Sequence, residues 1–213
     1  MIQPLAYIQK KKKIADNVVI EPFVIIYKDV VIGEGTWIGS NVTIMDGARI
    51  GKNCRIFPGA VISAPPQDLK YKGESTTLSI GDNTIIRECV TLNRGTALDK
   101  NTTQIGQNCL LMAYVHVAHD CIIGDNVIIA NSVQLAGHIE IQDYAFIGGT
   151  SAVHQFVSIG AHAIISGGSL VRKDVPPYTK AGREPLSYVG INSVGLRRRG
   201  FTRDQINERQ ESY

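Results

Sequence analysis

The chain has 213 residues and a formal net charge of +3, the size of one domain or of one domain with an appendage. Aromatic residues make up only 7% of it and Gly contributes 21 residues, so large rings do not build the core and turns are frequent. No apolar run approaches the ~18 residues of a membrane span, and the first residues lack the order of a signal peptide. The mildly basic pI of about 8.6 falls short of a nucleic-acid footprint but suits an acidic partner.

Aliphatic residues recur at every sixth position along most of the chain. One series runs from Ile14 to Ile62, a second from Ile80 to Leu92 and a third from Ile105 to Val171. A period of six does not fit a helix of ~3.6 residues per turn, but it preserves strand alternation inside each hexad. The pattern predicts an all-β solenoid of short parallel strands, in which three hexads make one three-sided coil.

Other features of the chain follow in order along this solenoid. The run Lys10–Lys13 is expected to be a solvated edge of the first coil. Two interruptions predict projecting loops near residues 63–79 and 97–104. The paired prolines Pro176 and Pro177 predict the end of the β-helix at residue 176, and residues 177–213 are expected to form a loop with one or two helices. A capping box at Thr202–Gln205 predicts the start of one such helix.

Histidines cluster on one edge of the predicted solenoid. Positions three hexads apart occupy equivalent places on neighbouring coils, which aligns His119 with Gly137 and Gln155, and Asp120 with His138. His116 and His154 lie nearby, whereas His162 falls on another side. Acyl transfer requires a base for a hydroxyl proton, a group that orients the base and a donor for the oxyanion. We therefore expect these roles to belong to His119, Asp120 and the Gly137 amide.

The residues leave two other classes of function open. His116, His119 and His138 could bind a catalytic zinc ion, as in the γ-class carbonic anhydrases. A non-enzymatic β-helix scaffold is the other alternative, although it predicts no histidine cluster. The cysteines indicate neither a disulfide framework nor a metal cluster, which fits a reducing cytoplasm. Three of them occupy the small inward column, and one lies a position earlier: Cys54, Cys109, Cys121 and Cys89.

Several segments resemble the acyl-[acyl-carrier-protein]–UDP-N-acetylglucosamine O-acyltransferases, which catalyse the first step of lipid A biosynthesis. The resemblance runs in collinear order over nearly the whole chain. The Gln-Asp-Leu-Lys loop and the His-x-x-His-Asp-Cys segment are its most specific parts. The matching segments include Pro66–Tyr71, Ile86–Thr91, His116–Cys121, Leu135–His138, Ala152–Phe156, Asp174–Tyr178 and Arg198–Phe201.

The resemblance implies a left-handed parallel β-helix that forms a homotrimer in the cytoplasm, with active sites between subunits. It makes His119 the general base for the 3-hydroxyl of UDP-N-acetylglucosamine, beside Asp120, with the Gly137 amide at the thioester oxyanion. No metal or redox cofactor is implied, because phosphopantetheine arrives on the acyl carrier protein. A glycine at Gly167 implies room for a long acyl chain. The implied substrate-binding residues are Gln67, Asp68, Lys70, His116, His138, His154, Gln155, Asn192, Arg198 and Arg199.

Related hexapeptide enzymes fit the sequence less well. The N-acyltransferase of the same pathway normally carries an N-terminal uridine-binding domain, whereas repeats here begin by Ile14. An acetyl-coenzyme A acetyltransferase leaves the loop containing Gln67 and Lys70 unexplained. Members of the resembling family usually continue with several more helices beyond the point that matches Tyr213, so this chain is expected to carry only part of their helical domain.

Overall fold

The computed structural model describes residues 1–9 and 13–213, so the expected lysine edge, apart from Lys13, lies outside the described residues. Most hexads form one short strand. The strands are β1 Tyr7–Ile8, β2 Lys13–Ile14, β3 Val19–Ile20, β4 Ile25–Ile26, β5 Val31–Ile32, β6 Trp37–Ile38, β7 Thr43–Ile44, β8 Ala48–Ile50, β9 Arg55–Ile56, β10 Val61–Ala64, β11 Thr77–Ile80, β12 Ile85–Ile86, β13 Thr91–Asn93, β14 Thr102–Ile105, β15 Leu110–Leu111, β16 His116–Val117, β17 Ile122–Ile123, β18 Ile128–Ile129, β19 Gln134–Leu135, β20 Glu140–Ile141, β21 Phe146–Ile147, β22 Ala152–Val153, β23 Ser158–Ile159, β24 Ile164–Ile165, β25 Leu170–Val171, β26 Thr179–Gly182 and β27 Ser187–Ile191.

Every third strand joins the same sheet, which gives a solenoid with three flat sides. Sheet 1 contains β1, β4 and each third strand to β25, and sheet 2 contains the series from β2 to β23. Sheet 3 contains the series from β3 to β24 and then β26 and β27. In the regular coils strand partners are parallel and three hexads apart, as for Gln134 and Ala152. The expected parallel β-helix is confirmed.

The aliphatic positions of the hexads fill the axis of the solenoid. Those from Ile20 to Val171 are buried, and Ile14 is partly buried against them. The small column holds three buried cysteines, and burial raises the pKa of Cys109 to about 11 and of Cys121 to about 12. Burying a large aliphatic side chain stabilises a fold by roughly 1.5–3 kcal/mol, so the repeated column is the main source of stability.

Three corners separate the three sheets, and residues with positive φ make most of the turns. At His138, for example, φ is 62°. A left-handed residue other than Gly costs roughly 1–2 kcal/mol, but the His138 N–H recovers a hydrogen bond of 3.0 Å to the His119 carbonyl in the coil below. The first corner carries Asp120, His138 and Phe156, the second carries Tyr144, His162 and Tyr178, and the third carries Tyr114, Ser132, Thr150 and Gly168.

Two insertions interrupt the regular coils. Val61 pairs with Thr91, whereas the regular step of three hexads would bring it to Ser79, and residues 65–76 form the first loop. Thr91 pairs with His116, whereas the regular step would bring it to Cys109, and residues 94–101 form the second loop. The expected limits of 63–79 and 97–104 need correction. The strands β10, β11 and β14 are longer than the others nearby and take up residues at the loop margins, and the second loop begins earlier than expected because β13 ends at Asn93.

The parallel ladder also continues past the expected boundary at residue 176. Pro176 and Pro177 lie in a turn, and β26 then resumes parallel pairing with β24 before β27 returns antiparallel. The prolines are tolerated because they lie before the strand, where strand pairing requires no N–H donor from them. Two helices follow, α1 Ser193–Arg198 and α2 Arg203–Glu211, and the capping box of α2 between Thr202 and Gln205 is confirmed.

No helix within residues 1–9 and 13–213 has both the length and the apolar character that crossing a membrane requires.

Candidate active site

His119 and Asp120 form a histidine–carboxylate pair at the first corner. The His119 Nδ1 lies 2.9 Å from the Asp120 Oδ2, and the His119 side chain keeps 13% of its surface exposed while Asp120 is fully buried. The pair arises because Asp120 takes the left-handed turn position, with φ of 59°, directly after His119. An Asp tolerates this conformation better than most residues.

The Asp120 carboxylate is held in its charged form. Burial alone raises its pKa, but hydrogen bonds from Thr96 and His119 outweigh burial and hold the pKa below its ordinary value. Thr96 donates its hydroxyl to Oδ2 at 2.6 Å and its backbone N–H to Oδ1 at 3.0 Å. Because an ionised carboxylate only accepts, His119 Nδ1 carries the proton of the shared bond. In the neutral ring the His119 Nε2 then holds the lone pair, and this atom has no hydrogen-bond partner among the described residues.

Gly137 lies against the His119 ring, one coil further along the stack. A Cβ atom at this position would lie 2.8 Å from His119 Cε1 and 2.9 Å from Nε2, closer than real contacts allow. The Gly137 carbonyl accepts from the Phe156 N–H at 3.2 Å, whereas its own N–H has no partner among the described residues. The glycine therefore supplies both room for the imidazole and a free backbone donor beside it.

His138 forms a second histidine–carboxylate pair at the same corner. Its Nδ1 lies 2.7 Å from Asp99 Oδ2, and its ring meets the His119 ring edge to face at 5.0 Å. The exposed Phe156 ring stacks on the other side of His138 at 4.6 Å. The three rings thus make a continuous aromatic wall along the corner.

An open cavity of about 600 Å³ adjoins this wall. His138 and Phe156 line it, together with Asp68 and Lys70 of the first loop. Tyr71 anchors that loop, since its hydroxyl accepts from Arg94 Nη2 at 2.9 Å. Gln67 is exposed on the same loop but does not line the cavity.

Three further candidates lie on or beside sheet 1, next to the same corner. The His116 Nδ1 lies 2.8 Å from the Thr91 hydroxyl, and burial lowers the pKa of His116, which favours the neutral ring. His154 and Gln155 are exposed, and the His154 Nδ1 lies 3.1 Å from the Gln155 carbonyl. His162 lies at the second corner, stacked between Tyr144 and Tyr178, as its spacing predicts.

The remaining candidates lie at other corners of this chain. Gly167 is an exposed residue beside the third corner, and the atom nearest to a Cβ there would be the Gly149 carbonyl oxygen, at 3.2 Å. Arg198 and Arg199 end α1 near the second corner, where the Arg199 guanidinium lies 5.2 Å from the centre of the Tyr144 ring. Within one chain these groups do not meet His119.

Asn192 has a structural role within this chain. It is buried, its Oδ1 accepts from the Gly195 N–H at 3.0 Å, and its Nδ2 donates to the His162 carbonyl at 2.8 Å. Both ends of the amide are engaged, so Asn192 caps α1 and fastens it to the β-helix.

A metal-binding alternative involves a slightly different set from the expected His116, His119 and His138. Ligand atoms of His119, Asp120 and His138 lie within 4.8 Å of one another. However, the Asp120 oxygens already accept from Thr96 and His119, and His138 Nδ1 is paired with Asp99. A metal ion that used Asp120 would have to displace these bonds, and without Asp120 the set offers only the Nε2 atoms of His119 and His138, fewer than the three protein ligands of a catalytic zinc site.

Sequence reasoning missed the contribution of the second loop to this site. Thr96 contacts Asp120, Asp99 contacts His138, and Lys100 Nζ lies 3.2 Å from Glu140 Oε1 at the cavity. The sequence signal for this contribution was the position of the second interruption. It stands where the first corner would lie in the coil that precedes His119. The identity of the contacts could not be derived from an irregular loop.

Comparisons with known proteins match both the repeats and the C-terminal segment. Residues 29–64 and 102–137 match the family model for the bacterial transferase hexapeptide (six repeats). Residues 174–213 match the model described as UDP-N-acetylglucosamine O-acyltransferase, domain 2.

Similar proteins are the acyl-[acyl-carrier-protein]–UDP-N-acetylglucosamine O-acyltransferases of Janthinobacterium sp. and Thiobacillus denitrificans. They are 45% and 42% identical over this entire chain, which spans 81% and 82% of their lengths. The relative from Herminiimonas arsenicoxydans is 47% identical over 72% of this chain, and the match covers 59% of that protein.

Solved structures extend the likeness to three dimensions. The UDP-N-acetylglucosamine acyltransferase of Bacteroides fragilis has a TM-score of 0.98 at 53% identity, covering all of this chain and 83% of that one. The enzyme of Francisella novicida has a TM-score of 0.97 at 47% identity, covering 99% of this chain and 78% of that one.

The fold and the corner site together define a hexapeptide-repeat acyltransferase with a left-handed parallel β-helix. At this identity and coverage the assignment is more specific: the chain belongs to the acyl-[acyl-carrier-protein]–UDP-N-acetylglucosamine O-acyltransferase family.

Proposed function

We propose that this protein transfers a 3-hydroxyacyl chain from acyl carrier protein to the 3-position of UDP-N-acetylglucosamine, the first step of lipid A biosynthesis. The observation that carries this proposal is the His119–Asp120 pair, which leaves the Nε2 lone pair free beside a Gly137 N–H that is unpaired among the described residues. Family membership supports the choice of substrates.

Proton transfer begins at His119. Its Nε2 takes the proton of the sugar 3-hydroxyl, and the resulting imidazolium is stabilised by the Asp120 carboxylate at 2.9 Å. The alkoxide attacks the thioester carbonyl carbon, forming the new C–O bond and moving the carbonyl electron pair onto oxygen. The Gly137 N–H is positioned to donate to that oxyanion. Collapse breaks the C–S bond, and the imidazolium returns its proton to the leaving thiolate.

Substrate recognition is proposed for the groups around the cavity. Lys70 supplies a cation and Asp68 an acceptor from the first loop, while Phe156 adds an apolar wall. Gln67, His116, His154 and Gln155 add polar groups around the same corner. No bound metal or redox cofactor is needed for this reaction, since a thioester is already activated for acyl transfer.

A homotrimer with sites between subunits is proposed from the distribution of the candidate residues. His119 lies at the first corner, Arg198 and Arg199 lie near the second, and Gly167 lies beside the third. A rigid β-helix cannot bring its own corners together. These groups can act on one substrate only if neighbouring copies bring different corners face to face, with Arg198 and Arg199 then close to the UDP diphosphate. The proposed compartment is the cytoplasm.

The direct test is incubation of the purified protein with UDP-N-acetylglucosamine and a panel of 3-hydroxyacyl carrier proteins. We expect a product heavier by one 3-hydroxyacyl group, whose acyl chain is released by mild alkali because it is held by an ester. A parallel incubation uses the 3-amino analogue of UDP-N-acetylglucosamine. An alkali-stable product from that analogue, with none from UDP-N-acetylglucosamine, would show that the nucleophile is an amine and not the hydroxyl. No product with any chain length would overturn the proposal.

A further inference from the structure

At the first corner, the backbone N–H of Asp120 has a different kind of hydrogen-bond acceptor from those of His138 and Phe156 in the next two coils. His138 and Phe156 each donate their backbone N–H to a carbonyl in the coil below, those of His119 and Gly137. The Asp120 N–H instead donates to the side-chain hydroxyl of Thr103 at 2.8 Å. The cause is the second loop, which replaces the corner that would otherwise lie beneath Asp120.

The same loop brings a second threonine to the carboxylate itself. Thr96 is buried, with 3% of its surface exposed, and its hydroxyl lies 2.6 Å from Asp120 Oδ2. Its backbone N–H lies 3.0 Å from Oδ1 and 3.2 Å from Oδ2. The approach depends on Gly95, where an added Cβ would collide with the backbone nitrogen of Thr102. The second loop therefore places two donors of Thr96, its hydroxyl and its backbone N–H, within hydrogen-bond distance of the Asp120 carboxylate.

These donors act on the oxygen that His119 uses. The Thr96 hydroxyl and the His119 Nδ1 both bond to Oδ2 of Asp120. Fixing that oxygen fixes the direction of the shared bond, and it keeps the carboxylate ionised in a fully buried place. Without the hydroxyl, the carboxylate would retain the Thr96 N–H and the His119 bond only.

We propose that Thr96 is a positioning residue for acyl transfer, which holds the Asp120 carboxylate charged and oriented so that His119 presents its Nε2 lone pair to the substrate. This inference rests on the proposed function and deepens it. Thr96 borders the cavity, but it is 3% exposed and its hydroxyl is bonded to Asp120 Oδ2, so its effect on the reaction is proposed to pass through Asp120 and His119.

The test compares Thr96→Val with Thr96→Ser. Valine keeps the shape and the backbone N–H but loses the hydroxyl, whereas serine keeps the hydroxyl. We expect kcat/KM of Thr96→Val to fall by about tenfold or more, the effect of one hydrogen bond to a charged group, and Thr96→Ser to recover most of it. The acid limb of the kcat/KM profile should move to higher pH in Thr96→Val, since the pair then takes up protons more readily.

A matched control separates this role from a general loss of buried hydrogen bonds. Thr84 is also buried, and its hydroxyl donates to the Gly106 carbonyl at 2.8 Å and accepts from the Cys109 N–H at 3.1 Å. Thr84→Val should lower the melting temperature while the acid limb stays at the wild-type position. An equal shift of the limb in both valine variants would overturn the proposal.

A second readout does not depend on activity. The ¹³C signal of the Asp120 carboxyl, assigned with Asp120→Asn, is followed as a function of pH in the wild type and in both Thr96 variants. We expect its titration to move upward in Thr96→Val and to return towards wild type in Thr96→Ser. An unchanged titration in Thr96→Val would refute the role of Thr96 even if the wild type transfers acyl groups. An inactive wild type would instead refute the proposed function.

Discussion

Replacing Gly137 with Ala places a methyl group against the His119 ring. The new Cβ would lie 2.8 Å from Cε1 and 2.9 Å from Nε2, whereas ordinary contacts between such atoms need about 3.5 Å. The ring must therefore retreat by roughly 0.6 Å or more. It cannot swing freely, because Nδ1 is bonded to Asp120 at 2.9 Å and the His138 ring lies 5.0 Å away. Misplacement by ~1 Å can cost about 100-fold in rate, so we expect kcat to fall by roughly that factor.

The assay is the initial rate of acyl transfer at saturating substrates, measured with the melting temperature of each variant. Gly137 does not require a positive φ, so the alanine variant should fold. Gly149→Ala is the control for adding a methyl group to the surface of a coil, since its Cβ would lie 3.2 Å from the nearest atom, the Asn131 carbonyl oxygen. A folded Gly137→Ala protein with wild-type kcat would refute the assignment of Gly137 to the site.

Three further outcomes are expected. The hydrogen bonds that lower the pKa of Asp120 stabilise the fold at pH values above the ordinary pKa of an Asp carboxyl, and this stabilisation is lost as pH falls through the lower pKa of the folded protein. Asp120→Asn should therefore make the decline in melting temperature below about pH 4 less steep. A decline as steep as that of the wild type would contradict this expectation. Elemental analysis of purified active protein should find less than one zinc per site, and stoichiometric zinc would restore the metal-dependent alternative. Mixed trimers of inactive His119→Ala and Arg198→Ala chains should regain activity if sites are shared between copies, whereas no recovery would place each site within one chain.

The axis of the fold is predictable from sequence because one physical requirement repeats. Every position from Ile20 to Val171 in the aliphatic series must fill the same narrow core, so the pattern persists over many coils. The column arithmetic that aligned His119 with Gly137 works for the same reason, since strand partners three hexads apart keep a constant register.

The contacts that the sequence did not predict lie in the second loop, where the register is interrupted, and after residue 176, where the regular hexads end. The contacts of Thr96 and Asp99 depend on the path of an irregular loop, which no period specifies. Asn192 matched a family position, but its local role as the cap of α1 depends on how the helix meets His162. The continuation of the ladder into β26 was missed because prolines end a strand but do not prevent a new one after a turn.

The role of His119 as the general base is tested most directly by the rate of acyl transfer in His119→Ala. We expect this variant to keep the melting temperature and oligomeric state of the wild type while its kcat falls by at least about 100-fold, the lower limit for a positioned general base. Near-normal turnover by a folded His119→Ala protein would show that His119 is not the general base, although its Nε2 lies beside Gly137 at the first corner.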